Sequence, residues 1–265
     1  MQPLQSPEGE ITATHPTQWF YRFLAVTVLI LPGLALAAFA VQLPAGQDKG
    51  QPGAIATGLI AVALGVLGFV QQMRSKVVVR TDGIERWGLR GKLWALRWAD
   101  MVEMRYHAVK MRVYYFIPAG TIITVKLTDP NGKKHGVPSN LKGMELLAER
   151  IADQQTAARF PEARAALDRG EEVRFGKALI VDREKLSARK LFGGYKSCPI
   201  SDIEKVAVEG GFLRIRQRGK FLGFGGGNVG AIPNIFLFLR LLDSLIARAT
   251  TIPQDRDFAL RHHVG

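Results

Sequence analysis

Two apolar stretches near the N-terminus dominate the pattern of hydrophobic and polar positions, with no charged residue in 23–41 and none in 50–73. Each is long enough for a helix to cross a hydrocarbon core, which takes about 20 residues. Neither carries the polar stripe that a helix in a globular core turns toward water. The segment between them, LPAGQDKGQP, contains the helix-stopping Pro44, Gly46, Gly50 and Pro52, with Asp48 and Lys49 at its tip. The pattern therefore predicts a transmembrane helical hairpin over 19–73. Pro32 and Gly33 predict a kink in the first helix. In the second, Ala54 with Gly58 and Ala61 with Gly65 have the four-residue spacing of small residues that lets helices approach closely, either within the hairpin or against a second copy. Residues 1–18 are polar and Pro-rich without periodicity and read as a flexible lead.

After Arg74 the period shortens to two. VVVR leads to a turn at Thr81, Asp82 and Gly83; Trp94, Leu96 and Trp98 share one strand face; Ile123, Val125 and Leu127 share another. The tetrapeptide DPNG at 129–132 predicts a tight hairpin turn. Leu141, Met144, Ala148 and Ile151 then return to a helical spacing. Phe160 and Pro161 are expected to end that helix, and 162–169 to form a short connecting helix stopped by Gly170. Strand patterns resume from Leu179. Leu213 and Ile215 face one way, with Arg214, Arg216 and Arg218 facing the other. A glycine-rich loop over 223–230 follows, and an apolar stripe from Ile235 to Ile246 marks a last helix too short and too charged to be a third span.

The charge balance adds an orientation and a class of partner. The chain has 36 Lys and Arg against 23 Asp and Glu, a formal charge of +13, which favours an anionic membrane surface. Arg74, Lys76, Arg80, Arg86, Arg90, Lys92 and Arg97 crowd behind the second span, against Lys49 alone in the turn, so both termini are expected in the cytoplasm. The first 18 residues hold no Lys or Arg, unlike a secretory signal, so the first span is read as an anchor. Cys198 is the only cysteine, which excludes an internal disulfide and a thiolate metal cluster.

The two stretches behind the hairpin resemble each other. Asp82 and Asp182 each end a first strand, Trp-Ala-Asp-Met at 98–101 matches Ile-Ser-Asp-Ile at 200–203, and each half closes with an amphipathic helix. A period of about a hundred residues indicates tandem domains rather than a solenoid. Many strands capped by one helix resemble the pleckstrin-homology-like fold, and the whole layout is similar to bacterial membrane proteins of unknown function that carry such domains. The resemblance implies a membrane-anchored α+β protein: a flexible 1–18, a hairpin over 19–73, a first pleckstrin-homology-like domain over 74–158, a linker helix over 159–170, a second domain over 171–250 and a tail over 251–265.

No residue set points to catalysis, a cofactor or a resident metal. Gly225, Gly227 and Gly230 match G-x-G-x-x-G, but Pro233 interrupts, and no parallel strand-helix-strand unit or later acidic residue accompanies them. His15, His107, His135, His262 and His263 lack metal-site spacing, and no nucleophile elbow is present. The aromatic residues alternate inward, which disfavours nucleic acid. What remains is basic. Arg86, Arg90, Lys92 and Arg97 surround the turn of Gly88 and Gly91, where the resemblance implies headgroup contacts, and Arg214, Arg216, Arg218 and Lys220 form a second set. The expected function is a cytoplasmic binding or scaffold module that engages the anionic membrane surface or a protein partner, the alternatives being an accessory subunit of a larger membrane complex or a membrane enzyme. A homo-oligomer is compatible with the small-residue pairs.

Overall fold

The computed structural model describes residues 6–42, 51–113, 117–190, 193–220 and 224–251, so the predicted turn at 43–50 and most of the tail lie outside the described residues. The fold is α+β with antiparallel sheets. The chain divides into two compact units: residues up to Trp98 with Val137–Leu147, and Ala99–Gly136 with everything from Ala148.

In the first unit, helices α1 (Trp19–Val41) and α2 (Gln51–Arg74) are both long and apolar enough to cross a membrane. The expected kink takes the form of a π-helical turn at Val26–Ile30, just before Pro32. Proline has no N–H to give the carbonyl of Val28, so the ladder widens there. The small residues pack the two helices of the hairpin together. A Cβ on Gly58 would lie 2.7 Å from the Gly33 carbonyl oxygen, and one on Gly65 would lie 2.6 Å from the Ile30 side chain. That seam is filled by the hairpin itself.

The hairpin grows out of a four-stranded sheet, β1 (Ile11–Pro16), β2 (Lys76–Arg80), β3 (Gly83–Gly88) and β4 (Gly91–Arg97), in that spatial order. Within the lead over 1–18 that was expected to be flexible, Ile11–Pro16 form a strand, which corrects that expectation for those residues. The run of Val77, Val78 and Val79 is buried on both faces and needs a neighbour on each side. β1 supplies one, with Thr14 opposite Val78 and Pro16 opposite Lys76. Its sequence, ITATHP, hides this because an edge strand needs no apolar alternation. The two helices are therefore an insertion between the first and second strands of one sheet. Their base is tied down: the Thr17 N–H donates to the Ser75 carbonyl at 3.3 Å, the Gln18 N–H to Asn140 O at 2.9 Å, and the Lys142 N–H to Pro16 O at 2.8 Å.

The second unit begins with a three-stranded meander, β5 (Glu103–Val113), β6 (Ile117–Thr128) and β7 (Lys134–Val137), of which Val137 counts with the first unit. The DPNG turn forms as expected, with Asp129 Oδ1 accepting the N–H groups of Asn131 and Lys133 at 2.9 Å and Gly132 at a φ of 78°. Helix α3 (Met144–Asp168) then runs straight through Pro161, so the expected break at Phe160 and Pro161, and the separate linker helix over 159–170, are absent. Ile151, Ala152 and Gln155 before the proline and Ala163 and Leu167 after it are all buried. That burial outweighs the cost of about 3 kcal/mol for an interior proline. Gly170, at a φ of 83°, ends the helix as predicted, with the Glu171 N–H reaching back to Ala166 O.

A second four-stranded meander follows, β8 (Val173–Phe175), β9 (Leu179–Val181), β10 (Lys185–Arg189) and β11 (Tyr195–Pro199), and then a three-stranded one, β12 (Ile203–Glu209), β13 (Phe212–Gln217) and β14 (Gly225–Asn228). Helix α4 (Ile235–Thr251) closes the chain over a core that includes Leu179, Val181, Leu186, Ile215 and Leu242, with Phe175 and Phe238 edge to face at 5.2 Å. Of the glycine run predicted as a loop over 223–230, Gly225–Asn228 form this last strand and Val229 and Gly230 a 3-10 turn. The order of four strands, three strands and a helix occurs twice, and Trp98, Met101, Ile200 and Ile203 are all buried. The first such series runs from β1 to α3 and the second from β8 to α4.

Candidate functional site

The two predicted basic sets have different fates. In the first, Gly88 faces Gly91 across a tight turn, and a bulge at Leu93 shifts the register so that Arg86 pairs with Trp94 and Trp87 with Lys92. The four side chains consequently separate. Arg90 is exposed in the turn. Arg86, half-buried, lies on the face that also carries Val77, Ile84 and Leu96, and burial pushes its guanidinium below the ordinary value. Lys92 and Arg97 lie on the opposite face.

Lys92 is committed within its own sheet. Its ammonium donates to Oε1 of Glu85 at 3.1 Å and sits 5.8 Å from the Trp87 ring. Glu85 is only 1% exposed and also accepts from Trp87 Nε1 at 3.1 Å and faces Arg80 at 3.4 Å. A buried carboxylate requires such company. Arg97 stands near Asp82. Burial raises the pKa of that carboxyl, but the Glu8 and Gly9 N–H groups, each at 2.8 Å, and the Arg97 charge bring it below the ordinary carboxylate value. Sequence patterning did not single out Glu85; its one visible signal is an acidic residue in the middle of an otherwise apolar and basic strand.

The three arginines of the second set stay in one alternating row. Leu213, Ile215 and Gln217 are buried and Arg214, Arg216 and Arg218 are exposed, as the alternation predicts. Arg216 lies directly across from Lys205 of β12, a like-charge pair that costs stability. On the other side the partner of Arg214 is Gly226, so β14 offers no side chain to cover it. Arg214 reaches Glu209 at 3.2 Å, while Arg216 and Arg218 form no ion pair among the described residues. Lys220 is exposed in the turn after Gly219. The result is one open cationic face.

The glycine motif has no nucleotide geometry. Gly225 and Gly227 belong to an antiparallel edge strand, and Gly230 follows in a 3-10 turn where a Cβ would strike His107 Nδ1. His107 and Gly230 border a cleft of about 520 Å³, lined also by Tyr106, Val208, Phe212 and Asn228. Asn234, unnoticed in the sequence and at a φ of 53°, caps α4 and binds β5: its Oδ1 accepts from Met104 N at 2.7 Å and its Nδ2 donates to Val102 O at 3.0 Å. The Cys198 thiol is buried, and burial together with Asp202 pushes its pKa up. No cluster of three metal-ligating side chains occurs among the described residues.

A protein-family model described as a family of unknown function (DUF6585) matches residues 9–250. No curated protein and no solved structure matches the chain.

Proposed function

The chain belongs to that family of unknown function, and we propose that it is an integral membrane protein whose inserted hairpin anchors two pleckstrin-homology-like modules that bind an anionic membrane surface. The observation that carries this reading is the bareness of the two helices. Only 12% and 11% of their apolar spans are buried, whereas a core helix of that length would be largely covered by protein. Lipid is the solvent that suits such a surface. The pairing of β1 with β2 adds support, since both ends of the insertion must then emerge on the same side, as two crossings require. The basic residues behind α2 favour the cytoplasm for that side. Seven strands followed by a helix, twice over, support the pleckstrin-homology-like assignment.

The open row on β13 serves as the contact with anionic lipid, at about 1 kcal/mol per basic residue near the surface. Arg90 can add to it. Lys92 and Arg97 instead hold their own sheet together. A cysteine introduced at Lys49 is expected to react with an impermeant thiol reagent in intact cells, and one at Asn131 only after lysis. Labelling of Asn131 but not Lys49 in intact cells reverses the orientation, and release of the protein by alkaline extraction removes the anchor altogether.

A further inference from the structure

The turn joining β12 to β13 combines features that the basic row alone does not explain. It is built by Gly210 and Gly211, both at positive φ (59° and 82°), and is flanked by two apolar side chains that stay in the open, Val208 at 47% exposure and Phe212 at 54%. Burying either against its own sheet would be the ordinary fate of such residues; here they border the cleft in front of Tyr106 and His107. Phe212, Arg214 and Arg216 follow one another along a single face of β13. The row is thus graded, apolar at the turn and cationic behind it, rather than an apolar centre ringed by polar groups as in a protein docking patch.

We propose that this turn is a membrane-inserting tip, a second attachment to the bilayer in which Phe212 and Val208 enter the interface and the arginines behind them meet lipid phosphates. The proposal rests on the membrane-anchored reading above and adds where the module touches lipid. The dimensions agree. An interfacial apolar face sinks about 5–10 Å below the headgroup boundary. At about 3.3 Å per residue, Arg214 stands about 7 Å and Arg216 about 13 Å behind Phe212 along the strand. With the phenyl ring among the upper acyl carbons, both guanidiniums fall in the phosphate layer. Lys205, opposite Arg216, joins them, and phosphate between the two cations relieves their mutual repulsion. Glu209 opposes insertion, but it is already engaged with Arg214. The ligand class is therefore an anionic phospholipid surface.

The test uses the full chain with Val208→Cys carrying an environment-sensitive fluorophore, the native Cys198 being buried and out of reach of the label. The protein is reconstituted in phosphatidylcholine vesicles with or without phosphatidylglycerol. The proposal expects a blue-shifted emission that is quenched by acyl-chain spin labels and shielded from aqueous iodide when the anionic lipid is present. Arg216→Gln lowers the ratio of inserted to free tip about fivefold, Phe212→Ser abolishes quenching, and replacing Arg214, Arg216 and Arg218 together by Lys preserves it. Iodide quenching without acyl-chain quenching overturns the tip. Equal insertion in phosphatidylcholine alone overturns the role of the arginines. Loss of the protein from floated vesicles at alkaline pH overturns the anchor, and the tip with it.

Discussion

The two repeats have the same order of elements and differ in how they handle charge. At the position of Glu85 on β3, the second repeat has Ser187 on β10, since Glu85 lies opposite Val78 and Ser187 opposite Ile180 in the matching pair of strands. Both are buried. Ser187 meets a single hydroxyl, Ser197 at 2.8 Å, while Glu85 gathers Arg80, Trp87 and Lys92. The connections differ too. β8 and β9 are joined by a short turn, whereas β1 and β2 are separated by the whole hairpin. The repeat that carries the insertion uses Lys92 and Arg97 as internal ties, and the repeat without one leaves Arg216 and Arg218 facing outward. A count of basic residues does not distinguish these uses; strand register and a buried carboxylate do.

The largest test of this contrast is a deletion. A module starting at Ser75 lacks β1, leaves the edge of Val77–Val79 unpaired and is expected to aggregate. A chain in which Thr17 is joined to Ser75 through Asn-Gly keeps β1 and β2 as an ordinary hairpin and is expected to be soluble, monomeric by size exclusion and β-rich by circular dichroism. In that shortened protein, Glu85→Ala strands two cations and an indole N–H and is expected to cost about 2–3 kcal/mol, the partial exposure of Lys92 reducing the effect. Ser187→Ala should cost about 1 kcal/mol, and urea titration compares the two.

Asp82→Asn should loosen residues 8–10, seen as faster amide exchange at Glu8 and Gly9. Asp182→Asn disturbs only its own turn, where that carboxylate accepts from Glu184 and Lys185. Because the Asp82 and Asp129 carboxyls titrate below the ordinary 3.8, their contribution is complete above that value and is lost as pH falls through their lower folded values. Acid unfolding is therefore expected below about pH 4, and the Asp82→Asn variant should lose this part of its pH dependence. The smallest effect concerns Arg216→Gln, which should raise stability by up to about 0.5 kcal/mol by removing the repulsion from Lys205. Lys92→Gln should lower it, and a denaturation midpoint that moves the same way for both would erase the distinction between the repeats.

Much of this was legible in residue spacing. The apolar helices, the DPNG turn and the alternation on β13 all follow from local pattern, because each depends on neighbours a few positions away. β1 was not legible, since its reason for being a strand is a valine run lying beyond the hairpin. Pro161 misled because a local penalty was overridden by burial on both sides of it. The glycine run was read as a loop because β14 has almost no side chains with which to show a period; its pairing depends on β13. For the site, the row on β13 was readable, while the engagement of Lys92 depends on a bulge and a carboxylate that only the assembled sheet brings together.

The insertion of the hairpin between paired strands also sets an order of events during synthesis. β1 leaves the ribosome before its partner and has nothing to pair with until both apolar helices have been made and β2 has followed them. If the two helices cross a bilayer as proposed, the first sheet closes only when both of their ends lie on one side. On that proposal, a chain that threads only one span would leave β1 and β2 on opposite sides, so completion of the sheet would work as a built-in check on insertion.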